Sequence, residues 1–152
     1  GNALLVMAAA MSAGAMAYGP LDRLLGTRKW VVFGGVSVTA LCFALLAMPG
    51  LPLGPAILVM GLLGGFGMTY GVLMAHGRSF VPDHLLGRGI TLLNVLFIGG
   101  AGILQPLSGG LMKRLADQPP EQAYATLHLI FAGLLVIGLA IYLFARDNPP
   151  KG

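Results

Sequence analysis

The residues with chemistry to offer are few, and most stand in one short run. Pro20-Leu21-Asp22-Arg23-Leu24-Leu25-Gly26-Thr27-Arg28-Lys29 places one acid and three bases between two long apolar segments. Charge concentrated in a turn between apolar segments acts at a membrane surface. It fixes which side faces the cytoplasm and anchors the turn at lipid headgroups. Enzyme chemistry finds no purchase. His76, His84, His128 and the lone Cys42 are scattered, without metal-ligand spacing. No Gly-x-x-x-x-Gly-Lys loop is present to cradle phosphate. The Gly-Gly pairs lie inside apolar segments rather than after strands, which excludes a dinucleotide fold. No nucleophile and base form a pair, so the expectation is a protein that is not an enzyme and uses no cofactor or metal.

The elements that carry these residues are set by composition. Hydrophobic residues make up 57% of the 152, charged residues 9%, and the mean hydropathy is +0.86. A soluble domain would lack the polar surface to cover that core. The apolar runs reach the roughly 20 residues that a bilayer-crossing helix needs. They are continuously apolar rather than alternating, which excludes an outer-membrane barrel. The fold class is therefore all-α, a polytopic membrane helix bundle. Five spans are expected over about 2–18, 30–48, 54–74, 89–111 and 124–145. Pro49-Gly50-Leu51-Pro52 makes a tight turn, and Gln118-Pro119-Pro120-Glu121 a second break. Cys42 falls within a span, can form no intrachain disulfide and suits a small buried apolar role. The first segment could be read as a signal peptide cut near Ala15-Met16-Ala17. It lacks a basic n-region and is followed by further spans, so a membrane helix truncated at its start is preferred.

Basic residues orient the bundle. Arg23, Arg28 and Lys29 stand in the first connection, Arg78 and Arg88 in the third, Arg146 and Lys151 in the tail. With five spans these lie on one side, and the positive-inside bias makes that side cytoplasmic, the C-terminus included. Lys113 and Arg114 in the fourth connection vote the other way, beside Asp117 and Glu121. The pI near 9.7 thus reflects short loops at a lipid surface and not a nucleic-acid partner.

The spans differ in kind. The third carries Gly54, Gly61, Gly64, Gly65, Gly67 and Gly71, and the fourth Gly89, Gly99, Gly100, Gly102, Gly109 and Gly110. Small residues let helices approach closely in lipid, where packing drives association. Spans three and four, with the Ala-rich first, are expected to face other helices; spans two and five, rich in Val, Leu, Ile and Phe, to face lipid. In span four, Thr91, Asn94, Gln105 and Ser108 fall within roughly a third of the helix circumference at about 100° per residue. Such a stripe is costly in hydrocarbon, so it should face the bundle interior. Two readings stand side by side: a cavity wall that hydrogen-bonds a substrate, or interhelical hydrogen bonding. Pro106 is a candidate kink. Thr69 and Tyr70 are weaker cavity candidates in span three. His76 and His84 are expected in a solvated loop, and His128 at the external interface.

These residues together resemble the major facilitator superfamily of secondary transporters. That family's conserved turn runs Gly-x-Leu-Ala-Asp-Arg-x-Gly-Arg-Arg after the second helix of each half. Gly19-Pro20-Leu21-Asp22-Arg23-Leu24-Leu25-Gly26-Thr27-Arg28-Lys29 looks like the weaker copy of the C-terminal half. Gly19 stands one residue nearer Asp22 than in the pattern, and Gly26 one residue further from Arg23. Pro82, Arg88-Gly89, Asn94, Gly99 and Gly110 resemble the family's entry into its eleventh helix. The resemblance covers nearly the whole chain as helices eight to twelve of a twelve-helix major facilitator fold. It implies a partial C-terminal six-helix half over 1–152 that alternates access with a missing N-terminal half of the same chain and is not active alone. It implies a substrate cavity with Asn94, Gln105, Tyr70 and Thr91, and a cytoplasmic gate of Asp22, Arg23, Gly26, Arg28 and Lys29. In that scheme Asp22 caps a neighbouring helix N-terminus and the bases latch the gate. The alternative is that these charges only anchor the loop.

The expected function is transport of a small solute by a secondary active transporter in the lipid bilayer of a bacterial cytoplasmic (inner) membrane. The competing expectation is a non-transporting sensor or assembly module that binds partner helices through its Gly-rich faces. Neither substrate nor coupling ion is legible.

Overall fold

Helix formation in this chain follows from the absence of alternatives: a backbone in hydrocarbon must satisfy its own hydrogen bonds. The computed structural model describes residues 1–150; Lys151, counted above among the basic tail residues, lies outside them. The helices are α1 (Asn2–Leu24), α2 (Lys29–Leu46), α3 (Leu53–Phe66), α4 (Tyr70–Arg78), α5 (Leu86–Arg114) and α6 (Pro120–Tyr142). Short 3₁₀ turns at Gly67–Thr69 and Asp83–Leu85 precede α4 and α5, and no strand occurs among the described residues. Five segments are long and apolar enough to cross a membrane: Asn2–Leu24, Lys29–Leu46, Leu53–Arg78, Asp83–Arg114 and Pro120–Tyr142. The many large hydrophobic side chains left exposed, Phe97, Ile98, Ile137 and Phe144 among them, suit a lipid surround.

Several boundaries correct the expectations. α1 does not stop at Tyr18. It runs through Pro20 to Leu24, so the connection to α2 shrinks from eleven residues to about four and Asp22 and Arg23 are helical. What ends α1 is Gly26 at φ 62°. The Thr27 N–H donates to the Asp22 carbonyl at 3.2 Å and the Gly26 N–H to the Arg23 carbonyl at 3.3 Å. That paired reversal closes a helix on a left-handed residue, and Gly adopts it without a Cβ clash. α5 spans Leu86–Arg114 rather than 89–111. It stays helical through Pro106, and bases in its last turn complement the helix dipole. α6 starts at Pro120, whose fixed φ suits a first helical position.

The third span is broken. Met68 leaves helical geometry at φ −80°, ψ 25°, inside the 3₁₀ turn that joins α3 to α4. Glycines on both sides of that point weaken the helix they sit in.

Packing begins with α1 against α3. Gly61, Gly64 and Gly65 face Val6, Met7, Ala10 and Gly14, and at Gly14 and Gly64 the approach leaves no room for a side chain. A Cβ on Gly64 would stand 2.7 Å from the Met7 carbonyl oxygen, and one on Gly14 would overlap the Gly65 backbone. The expectation that spans one and three face other helices holds. The expectation for span two does not. α2 lies between α3 and α6 and buries Val31, Val32, Gly35, Ala40 and Cys42. The core joins Val31 and Val32 to Tyr18 and Val72, flanked by Leu21, Val36, Met68 and Tyr142. Stiff β-branched side chains fill a helix interface as well as they meet lipid, so a low glycine content did not mark α2 as peripheral.

Span four corrects the reading in the opposite sense. α5 buries no residue and touches the rest mainly through α4 and α6. Gly99, Gly100, Gly102, Gly109 and Gly110 have open space where a Cβ would stand. Its polar stripe is largely answered by its own helix: Thr91 Oγ1 donates to the Gly87 carbonyl and Ser108 Oγ to the Gln105 carbonyl, each at 2.9 Å.

The two classes of glycine should behave differently. Gly14→Val is expected to destabilise the purified chain by about 1–3 kcal/mol or more, as overpacking does. Gly99→Ala should be neutral or stabilise by about 0.5–1 kcal/mol, the ordinary helix-interior gain. Unfolding from detergent micelles by titrated sodium dodecyl sulfate measures both.

Candidate functional site

At one end of the bundle the C-terminus of α1, the N-terminus of α2, the C-terminus of α4 and the tail after α6 converge. Asp22, Thr27, Arg28, Lys29, His76, Ser79, Asp147 and Asn148 are hydrogen-bonded there. Asp22, in the last turn of α1, is 7% exposed. Its Oδ2 accepts a hydrogen bond from Arg28 Nε at 3.2 Å. Its other oxygen accepts none among the described residues. The contact is single-point, not the two-bond fork that gives Arg–carboxylate pairs their strength.

Asp22 was expected to cap a helix N-terminus. The cap comes from the tail instead. The Asp147 carboxylate accepts from the backbone N–H groups of Lys29 at 3.0 Å and Arg28 at 3.3 Å, and from the Thr27 hydroxyl. Thr27 Oγ1 in turn accepts from the Trp30 N–H at 3.3 Å. Two side chains thus serve the free donors and positive dipole end of α2. The reason is spatial: Asp22 points along its own helix end toward Arg28, whereas the tail folds back across the first turn of α2.

The bases divide. Arg28 holds Asp22 and also donates through Nη1 to the Asn148 carbonyl at 3.4 Å. Lys29 donates from Nζ to the Leu143 carbonyl at 2.7 Å and lies 5.3 Å from the Trp30 ring centroid. Arg23 is exposed and forms no ion pair among the described residues. Gly26 supplies the reversal that ends α1.

His76 overturns its expected solvation. It is 2% exposed, because α4 continues past Met74 and carries it into the bundle end. Its Nε2 lies 3.0 Å from the Arg146 carbonyl and its Nδ1 2.5 Å from the Tyr142 hydroxyl. A carbonyl only accepts, so Nε2 carries the proton and donates. In the neutral ring Nδ1 then accepts from Tyr142. Asn148 Nδ2 donates to the Ser79 carbonyl at 2.9 Å, and Ser79 Oγ donates to the His76 carbonyl at 2.6 Å. The tail is therefore tied to α2 and to α4. His128 differs again: it packs near Phe43 on α2, and its Nδ1 is buried without a partner.

Beside this lock lies a cleft of about 410 Å³ between α1 and the α3–α4 break. Tyr18, Asp22, Met68, Tyr70, Gly71 and Val72 are among its walls. Two residues expected in separate sites, Tyr70 and Asp22, thus share one cavity. The Tyr70 hydroxyl donates to Asn94 Oδ1 at 2.9 Å, and its ring lies 4.3 Å from that of Phe97. Thr91 is within a helical turn of Asn94. Gln105 is eleven residues further along α5, about 16 Å at 1.5 Å per residue, and does not join them. Tyr18 reaches the Phe66 carbonyl at 3.3 Å, at the foot of the break.

Sequence reasoning missed Thr27, His76, Tyr142, Asp147 and Asn148. A signal existed for Asp147, the one acid after α6, but nothing in its spacing connects it to residue 28. No family model, curated protein or solved structure matches the chain.

The Asp147 contacts carry a pH dependence. Burial pushes its carboxyl upward, but the hydrogen bonds from Thr27, Lys29 and Arg28 outweigh this and hold it below the ordinary carboxylate value. A depressed pKa means the clamp is complete above the ordinary carboxylate range and is lost as pH falls through the lowered value. Exchange of the Arg28 and Lys29 amides, read by hydrogen–deuterium mass spectrometry, should be slow at neutral pH. It should be faster in Asp147→Asn, whose protection no longer responds to acid.

Proposed function

We propose that this chain is a membrane transporter segment that moves a small solute by alternating access, in the manner of a major facilitator C-terminal half. One observation carries the reading: the charged turn that resembles the family's gate motif lies at a junction of helix ends held by breakable polar contacts. Away from that end the helices pack mainly by apolar contact, with the Tyr70–Asn94 and Tyr18–Phe66 hydrogen bonds as the cross-links between elements. A bundle that must open at one end and stay intact elsewhere needs that division, because a single-point Arg–carboxylate contact exchanges partners at far lower cost than a core repacks. In this reading Asp22, Arg28 and Lys29 form the gate on the cytoplasmic side, Gly26 shapes its turn, and Arg23 meets headgroups. Tyr70 and Asn94, with Thr91 above them, line the solute path. Gln105 lies further along the same helix. The membrane is a bacterial inner membrane and the tail is cytoplasmic.

The 3₁₀ break supports the same reading. Irregular backbone at membrane depth is tolerated where it lines a cavity, and here it adjoins the cleft that Tyr70 and Asp22 share.

A second reading, a non-transporting module that binds partner helices, is favoured by α5, where Gly99, Gly100, Gly102, Gly109 and Gly110 have open space where a Cβ would stand. Reconstitution separates the two. Proteoliposomes containing the full-length protein should accumulate or release solute, with Asp22→Asn slowing turnover by about tenfold or more, the scale of a lost 1.4 kcal/mol or greater in a gating state. Asn94→Ala should raise the half-saturating solute concentration instead. Transport untouched by both variants, with loss of a co-purifying membrane partner, would favour the binding module.

A further inference from the structure

The cleft between α1 and the α3–α4 break has one charged wall residue, Asp22. Arg28 does not line it. Arg28 instead lines an adjoining polar cavity of about 550 Å³, with Arg78, Ser79 and Asp83; Ala75 borders both. The Asp22 carboxylate is held by Arg28 through Oδ2 alone. Its other oxygen has no hydrogen-bond partner among the described residues, and it is not sealed in: Asp22 as a residue is buried, yet the buried side-chain atom left without a partner among the described residues is His128 Nδ1. An accessible carboxylate oxygen on the wall of an otherwise apolar cleft is a free acceptor with negative charge, and a cation seated beside it gains a charge contact there. Its other walls include two tyrosines, Tyr18 and Tyr70, and the apolar residues Met68, Val72 and Ala75. Aromatic faces attract cations, and a thioether adapts to apolar bodies of varied shape. The volume falls in the range of small-molecule sites, about 300–1,000 Å³.

From this we infer that the cleft is a binding site for a monovalent organic cation, an ammonium group with an apolar body, and that Asp22 is the residue that reads its charge. The inference rests on the transport reading for its purpose: it names the solute class. The site also couples cargo to lock. A cation at Asp22 competes with Arg28 for the same carboxylate. Arg28 then turns to its own cavity, where Asp83 offers a second carboxylate and the Asn148 carbonyl already holds one guanidinium nitrogen at 3.4 Å. The solute shifts the lock only by as much as it binds the released state better than the held one. An uncharged solute of the same shape leaves the Asp22–Arg28 pair in place.

Binding of benzyltrimethylammonium to the full-length protein in nanodiscs, by equilibrium dialysis, tests this against its neutral carbon isostere, neopentylbenzene. The cation should bind about tenfold or more tightly than the isostere, a difference of the size a desolvated charge contact gives. Asp22→Asn should erase that preference while leaving the isostere unchanged. Arg28→Gln, by removing the competing guanidinium, should tighten the cation severalfold. Gly71→Leu fills the cleft from a position with open space around it and should abolish binding of both probes. If Asp22→Asn does not fold, the Arg28→Gln and Gly71→Leu arms decide. Equal binding of cation and isostere, or cation affinity indifferent to Arg28→Gln, overturns the inference. Uptake measured in parallel keeps the two ideas apart. Asp22-dependent cation binding without transport of any solute sinks the transport reading and leaves the site standing. Transport of uncharged solutes with no cation binding does the reverse.

Discussion

The structure depends on the approach of α1 to α3 through Gly14, Gly64 and Gly65. In lipid, apolar side chains gain nothing by leaving one hydrocarbon for another, so two helices associate only if they fit. Here the fit is backbone on backbone: a single Cβ at Gly14 or Gly64 has no place to go. That crossing fixes α3, and with it the 3₁₀ turn that presents Thr69 toward Gly35 of α2. Tyr18 fills the space between, its hydroxyl reaching the Phe66 carbonyl. The core of Tyr18, Val31, Val32 and Val72 is the consequence of that placement.

The polar end follows a different rule. Its groups cannot be buried without partners, and each finds one on another element: Asp22 on Arg28, Arg28 on Asn148, Asn148 on Ser79, His76 on Tyr142 and Arg146, Asp147 on α2. Helix ends supply unsatisfied donors and acceptors, so a junction of three of them invites a strand of tail to cross it. The residues that make the cross-links come from positions up to 120 apart in sequence.

That separation explains what the sequence could and could not disclose. Five spans and their all-helical class were legible, because hydropathy over about 20 residues is a local property. That the glycine-rich third span packs on another helix was legible from composition. Spacing did not say which glycines do it: Gly61 and Gly65 meet α1, whereas Gly67 and Gly71 have open space. The places of α2 and α5 were not legible. Glycine content says that a helix can pack closely, and a stretch of Val and Leu says that it is apolar; neither says what stands opposite. The charged turn was legible as a site, and two of its residues, Asp22 and Arg28, do meet. Asp147 and His76 were invisible in it because nothing local distinguishes a tail acid that caps a helix from one in solvent, or a histidine in a loop from one a turn inside a helix. Tyr70 and Asn94 were named separately from polarity in apolar spans. Their hydrogen bond across two helices is a tertiary fact.

The 3₁₀ turn at Gly67–Thr69 has a geometric consequence for everything after it. A 3₁₀ residue advances about 120° and 2.0 Å, an α-helical one about 100° and 1.5 Å. The step, with Met68 outside helical geometry, therefore gives α4 a different phase and rise from those a continuous helix would have. Tyr70 reaches Asn94, and His76 reaches Tyr142, at that phase. Were the turn to wind down to α geometry, both aromatic partners would be dialled off their marks together. The short irregular step thus acts as the setting screw between the middle of the bundle and its end, with one rotation shared by the cleft and the lock.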